Sequence, residues 1–247
     1  MLIFGGPPAR NLKGAVAPQG GIFLSEKTID LFRRIVEETH ASKEEEHIHI
    51  LVDCNPKMPS RQEAILCGGP SPVPAMVETA RNLQQAGADC IILGANTAHY
   101  FLDEVSAQVD IPFLDILEEA VKELLRQVPQ AKRVGVLATS AAMESGLYQS
   151  YCARRGIEVI PLDPTVQQAV QTSIFHFKYH GLLPENRQSM ADAAHRLVEQ
   201  GAEALLLGCT EIPLILSGVD FPIPVIDPNA AIARAAVAYA KGIPCSV

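Results

Sequence analysis

Cys209, followed by Thr210 and Glu211, and the stretch Ala95-Asn96-Thr97 are the residues of this chain best placed for chemistry, because they end two copies of one segment. Leu83 to Thr97 reads LQQAGADCIILGANT and Leu197 to Thr210 reads LVEQGAEALLLGCT, which sets Ala95 and Cys209 at equivalent positions 114 residues apart. Each copy is a helix end, a stop glycine (Gly87, Gly201), a short apolar run and a small polar tip. Such runs suit strands buried on both faces of a parallel sheet, and ligands bind where those strands end. If the halves face each other, Asn96 and Thr97 meet Cys209 and Thr210 across one cleft. Backbone N–H groups at the helix starts that follow favour an anion. The expected guest is a small molecule carrying a carboxylate.

The elements that must position these tips repeat as well. Ile111–Asp115 (IPFLD) and Ile223–Asp227 (IPVID) are a further matched pair. Ile22–Glu38 carries Leu24, Ile29, Phe32, Ile35 and Val36 at helical spacing, and His47–Val52 reads as a strand delivering Asp53 and Asn55. Between Cys54 and Pro74 lies a proline- and glycine-rich loop with Lys57, Ser60 and Arg61. Gly14–Gly21 resembles a strand end running into a turn. Arg133–Thr139 and Ile157–Ile160 read as strands, and Tyr148–Arg155, Val166–Lys178, Met190–Gln200 and Ala230–Ala240 as helices. The expected fold is α/β: two pseudo-symmetric doubly wound parallel-sheet domains with the active site in the cleft between them. Residues 1–114 plus 225–247 would form the first and 115–224 the second, without a flexible linker and with more than one chain crossing.

Composition narrows the functions. A net charge of −8 and a pI near 5.4, without clustered Lys and Arg, speak against general nucleic-acid binding. The apolar runs are broken by Asp103, Glu203 and Glu211, and the N-terminus lacks the pattern of a secretory leader, so neither membrane insertion nor export is expected. Six cysteines show no C-x-x-C pair, which fits reduced thiols in a cytoplasm. Cys54, Cys67, Cys90, Cys152 and Cys245 read as structural thiols. His47 and His49 share a strand face with no third ligand nearby, so no metal is expected. His99 reads as a helix-start residue bonding locally, and Glu44–Glu46 as a solvated loop.

Four stretches, DCNPKMPSRQEAIL (Asp53–Leu66), GANTAH (Gly94–His99), GVLAT (Gly135–Thr139) and GCTEIPL (Gly208–Leu214), resemble the aspartate/glutamate racemase family of cofactor-independent amino-acid racemases. The resemblance runs from about Gly14 to Asp227. It implies two α/β domains enclosing the substrate, each contributing a cysteine from an opposite face. The family's first motif is C-N-T-x-H, whereas this chain has Ala95-Asn96-Thr97-Ala98-His99. The partner motif, Cys209-Thr210-Glu211, is complete. Ala141 and Ala142 also stand where the family usually has a Gly-Thr pair, and a Pro-Pro stretch interrupts the N-terminal strand.

Inversion at an α-carbon removes a proton from one face and returns one to the other, through a planar carbanion whose carboxylate must be neutralised by oriented donors. A cysteine serves as acid or base once its thiolate is accessible. By resemblance Cys209 is one such group, and Asn96, Thr97, Thr139 and Thr210 bond the α-carboxylate. Arg61 and Lys178 bind a side-chain carboxylate, for which a guanidinium offers a bidentate match. The implied function is racemisation of aspartate or glutamate without a cofactor, impaired because Ala95 offers no proton donor. The alternatives are a non-catalytic amino-acid-binding protein and a single-cysteine decarboxylase or isomerase of a related diacid. A homodimer is what the family implies.

Overall fold

The computed structural model describes residues 2–5 and 26–242, so the turn expected at Gly14–Gly21, Leu24 and Cys245 lie outside the described residues. The first half contains β1 (Leu2–Gly5), α1 (Glu26–Glu38), β2 (Ile50–Val52), α2 (Arg61–Cys67), α3 (Val73–Gln85), β3 (Ala88–Ile92), a 3-10 segment (Asn96–Phe101), α4 (Leu102–Ser106) and β4 (Phe113–Leu114). The chain continues through α5 (Ile116–Gln127), β5 (Arg133–Leu137), α6 (Ser140–Glu144), α7 (Leu147–Ala153), β6 (Glu158–Ile160), α8 (Pro164–His180) and α9 (Pro184–Glu199). Then come β7 (Ala204–Leu207), α10 (Ile212–Ile215), β8 (Val225–Ile226) and α11 (Pro228–Ala240).

The two four-stranded sheets have the orders β2-β1-β3-β4 and β6-β5-β7-β8, so each strand has a counterpart in the other half. The architecture is the expected pseudo-symmetric α/β arrangement. All neighbours in the second sheet are parallel. In the first, β3 and β4 are parallel, whereas β1 runs antiparallel to both β2 and β3.

Local chemistry explains the repeat. Gly87 and Gly201 both adopt left-handed backbone, with φ of 91° and 87°, which lets α3 and α9 stop and turn into β3 and β7. After β4 and β8 come Asp115 and Asp227, whose carboxylates cap the next helices by accepting from Leu117 and Glu118 N–H in one case and Asn229 N–H in the other. Each of these helices crosses from the sheet that it follows to the other sheet. α5 packs on α7, β7 and β8 of the second half, while α11 packs on α1, β1 and β4 of the first, and the two helices pack on each other. The boundary expected at residues 224/225 falls at the start of β8, which still pairs within the second sheet; the return crossing is α11.

Buried apolar side chains fall into three clusters. One, between the sheets, joins Ile35 and Ile92 of the first half to Leu117, Leu124, Val136, Leu206 and Ile232. The others lie on the outer faces, under α3 and α4 and under α8 and α9. Three expectations need correction. The strand at His47–Val52 is confined to Ile50–Val52, leaving His47 and His49 exposed ahead of it. The 54–74 stretch is not one loop, because Ser60 accepts from Glu63 N–H and starts α2. On α1 the buried face is Leu31 and Ile35, while Ile29 and Phe32 are exposed. Among the described residues no helix is long and apolar enough to cross a membrane.

Candidate functional site

The polar tips of β3 and β7 open into one cavity of about 240 Å³ between the two halves. Ala95, Asn96 and Thr97 enter it from the first half, and Thr139, Cys209 and Thr210 from the second. Arg61 reaches it from the start of α2 and Lys178 from the last turns of α8. The cavity therefore brings together every residue singled out in the sequence for catalysis or substrate contact. Asp53 and Asn55 stand apart from it. They line a second cavity of about 310 Å³, with Met58 and Met76, that meets the first at Arg61 and Ala95.

Cys209 is 7% exposed and its Sγ–H donates to Glu211 Oε2 at 2.9 Å. Burial, then the neighbouring Glu211 carboxylate, pushes the thiol up to about 12, with Lys178 pulling the other way. At neutral pH the sulfur carries its proton. Glu211 also accepts from Thr210 Oγ1 at 3.0 Å and lies 3.6 Å from Lys178 Nζ. Lys178 in turn stands over the Phe175 ring, 5.3 Å from its centroid. Burial draws the Arg61 guanidinium down from its ordinary value, and Glu211 opposes that shift. Two cations against one carboxylate leave the cavity wall with a single excess positive charge.

Contacts across the cleft hold the halves in register. Thr97 Oγ1 and Thr139 Oγ1 are 3.3 Å apart, and Thr139 caps α6 by accepting from Ala142 N–H. Gln171 of α8 donates to Gln62 Oε1 at 2.9 Å and accepts from Ser140 N–H at 2.9 Å. Tyr148, wholly buried on α7, donates its hydroxyl to Gly208 O at 2.9 Å and lies 2.9 Å from Asn96 Nδ2. His99 is buried and neutral in character: burial lowers its pKa, and Ile116 N–H donates to its Nε2, which leaves Nδ1 to donate to Ala95 O.

Several of these partners were not singled out in the sequence. Glu211 was visible only as the third letter of its motif, and nothing local marked it as the acceptor for Cys209. Tyr148, Gln62 and Gln171 act across sequence gaps of 31 to 109 residues, which no periodicity reveals. Phe175 and Tyr179 were hidden in a helix that extends two residues beyond its expected end at Lys178. The other cysteines divide: Cys90 and Cys152 are buried, the latter pushed up to about 11 by burial, whereas Cys54 is half-buried and Cys67 is exposed. Cys67 is therefore not a structural thiol, since it sits in the last turn of α2, which buries none of its residues.

A sequence model described as Asp/Glu/Hydantoin racemase matches residues 21–236. Over 163 residues the chain is 31% identical to the broad specificity amino-acid racemase RacX of Bacillus subtilis, covering 66% of this chain and 70% of that protein. It is 30% identical over 177 residues to the glutamate racemase of Aquifex aeolicus, covering 66% of this chain and 63% of that one. The aspartate racemase of Picrophilus torridus has a similar structure, with a TM-score of 0.76 at 28% identity over 89% of this chain and 91% of that one.

Proposed function

The chain belongs to the Asp/Glu/Hydantoin racemase family, and on that premise we propose that it binds an acidic amino acid in the cleft between its halves and exchanges the α-proton from the Cys209 face alone. The observation that carries this is the joint lining of one cavity by Cys209, Ala95, Arg61 and Lys178. An acidic amino acid at neutral pH has two carboxylates and one ammonium, a net single negative charge that complements the excess positive charge of the wall. Arg61 and Lys178 take the side-chain carboxylate, and the hydroxyls of Thr97, Thr139 and Thr210 surround the α-carboxylate.

In the absence of ligand Cys209 is an acid. To take an α-proton it must first release its own, and Glu211 Oε2, 2.9 Å away, is the acceptor in place. The thiolate then removes the α-proton, and the same sulfur returns a solvent-derived proton to the same face. Ala95, with only a methyl side chain, returns none to the other. The outcome is exchange with retained configuration, and inversion is blocked.

The test is incubation of L- and D-aspartate and of L- and D-glutamate in deuterated solvent, read by proton NMR for loss of the α-signal and by chiral chromatography for configuration. Exchange of one enantiomer without inversion, abolished by Cys209→Ser, is the expected result. A second reading, an amino-acid-binding protein without turnover, is favoured by the high pKa of Cys209. It predicts calorimetric binding with no exchange of any of the four ligands.

A further inference from the structure

Arg61 is carried by a segment with little of its own to hold it in place. α2 is a helix of 7 residues that starts at the Ser60 cap, stops at Gly68 in left-handed backbone and buries none of its side chains. A helix that short does not persist on its own backbone hydrogen bonds. Within the same segment the Arg61 guanidinium donates to Pro59 O at 3.5 Å, the outer limit of such a contact. What holds the guanidinium at the cavity must therefore come from outside α2.

The second half supplies it through α8. Gln167 and Gln171, one turn apart, both reach the chain that follows β5: Gln167 Nε2 donates to Ala138 O at 2.9 Å, and Gln171 Oε1 accepts from Ser140 N–H at 2.9 Å. A backbone N–H only donates, so the Gln171 oxygen is committed to Ser140 and its Nε2 is left to donate elsewhere. It donates to Gln62 Oε1 at 2.9 Å, across the cleft and 109 residues away. That acceptor adjoins Arg61. Lys178 lies two turns beyond Gln171 on the same face of α8. One helix thus carries one of the two cavity cations and holds the segment that carries the other. The same relay reaches the start of α6, which also touches α2 and whose cap is Thr139.

Resting on the reading that Arg61 and Lys178 take a ligand's side-chain carboxylate, we propose that Gln62 and Gln171 are positioning residues whose bond docks α2 on α8 and so sets the spacing of the two cations. A carboxylate shared by a guanidinium and an ammonium gains most where the two already stand at the separation it needs. A loose α2 has to be ordered afresh at each binding event, which subtracts from affinity. A fixed spacing also suits one length of side chain better than another. Gln62 is among the residues lining the cavity, whereas Gln171 stands behind it, so an effect common to both belongs to their bond and not to ligand contact.

Gln62→Met and Gln171→Met cut the bond from its two ends, and both residues are only half-buried, so neither change opens the core. Hydrogen exchange of the ligand-free full chain, read by mass spectrometry, should quicken in α2 and stay unchanged in α9 and α11. Calorimetry with aspartate and with glutamate should show the better-bound of the two weakened by about threefold to tenfold in either variant, the net worth of one hydrogen bond. The other should lose less, and the double variant should be no worse than the singles. Exchange in α2 equal to the parent's overturns the proposal, as does faster exchange throughout the chain, which marks a merely structural role. A parent that binds the two amino acids equally, or variants that weaken both alike, overturn it as well, and in each of these cases binding by the parent leaves the site reading standing. If the parent binds neither amino acid, the site reading itself fails and takes the proposal with it.

Discussion

The tips of β3 and β7 are the same device with different fittings. Both follow a stop glycine and an apolar strand, and both deliver small polar residues into one cavity. Around Cys209 the tip is crowded: the thiol lies against Glu211, Thr210 shares that carboxylate, and Gly208 is pinned by Tyr148. Around Ala95 there is room. A Cβ added at its neighbour Gly94 would meet nothing nearer than Leu31 Cδ2 at 3.8 Å among the described residues, an ordinary van der Waals contact, and Ala95 itself borders two cavities. Duplication supplies matched backbones, but the acid/base capacity of each tip depends on the side chains that close around it.

The largest expected effect comes from equalising the tips. Ala95 is in extended backbone, with φ of −158°, which any residue adopts. Ala95→Cys should therefore fit and supply the missing proton donor, raising interconversion of the enantiomers by about 10²–10⁴-fold, the usual contribution of a placed acid or base. The loss of circular dichroism of a pure enantiomer measures it. No gain would mean that the Cys209 half of the device is itself incompetent.

The crowding difference predicts opposite tolerance to one added methyl. Gly208→Ala must push a Cβ to within 2.7 Å of the buried Tyr148 ring, at an overpacking cost of about 1–3 kcal/mol. Gly94→Ala should stay within about 0.5 kcal/mol, because the added methyl meets Leu31 Cδ2 at 3.8 Å without a clash. Urea unfolding of the pair compares them directly, and equal losses would refute the asymmetry.

The smallest effect is electrostatic. The folded-state pKa of Cys209 is raised from 9.0 to about 12, so its contribution to stability is full below pH 9 and fades as pH climbs toward 12, where the folded protein finally loses the proton. Removing the carboxylate that helps to raise it, in Glu211→Gln, should move the onset of Cys209 alkylation to lower pH. Peptide-resolved mass spectrometry separates that thiol from the exposed Cys67. An unchanged onset would leave burial as the whole cause.

Much of this was legible in the sequence because duplication is a sequence signal. The repeated LGANT and LGCT ends located both tips, the paired IPFLD and IPVID marked a further matched element, and the loop arginine and helix lysine converge on the cavity. What stayed hidden depends on three-dimensional closure. Tyr148 read only as the first residue of a helix, and its meaning lies in a hydroxyl wedged between two tips that the chain reaches 52 residues before and 60 residues after. Glu211 adjoined the cysteine motif but could not be read as its hydrogen-bond acceptor. The buried face of α1 was misjudged because Ile29 and Phe32 obey helical spacing as well as Leu31 and Ile35 do, and only the placement of β3 and α11 chooses between them.

The exchange of α5 and α11 between the halves gives the molecule the topology of a handshake. The helix that follows the first sheet covers the second, and the helix that follows the second covers the first. Cutting the chain between residues 114 and 115 would leave α11 with its Ile232 on the second fragment and uncover Ile35 and Ile92 on the first, so the first fragment should be insoluble alone and regain a cleft only when mixed with the second. Ligand grip and cooperative unfolding are thus properties of the same seam.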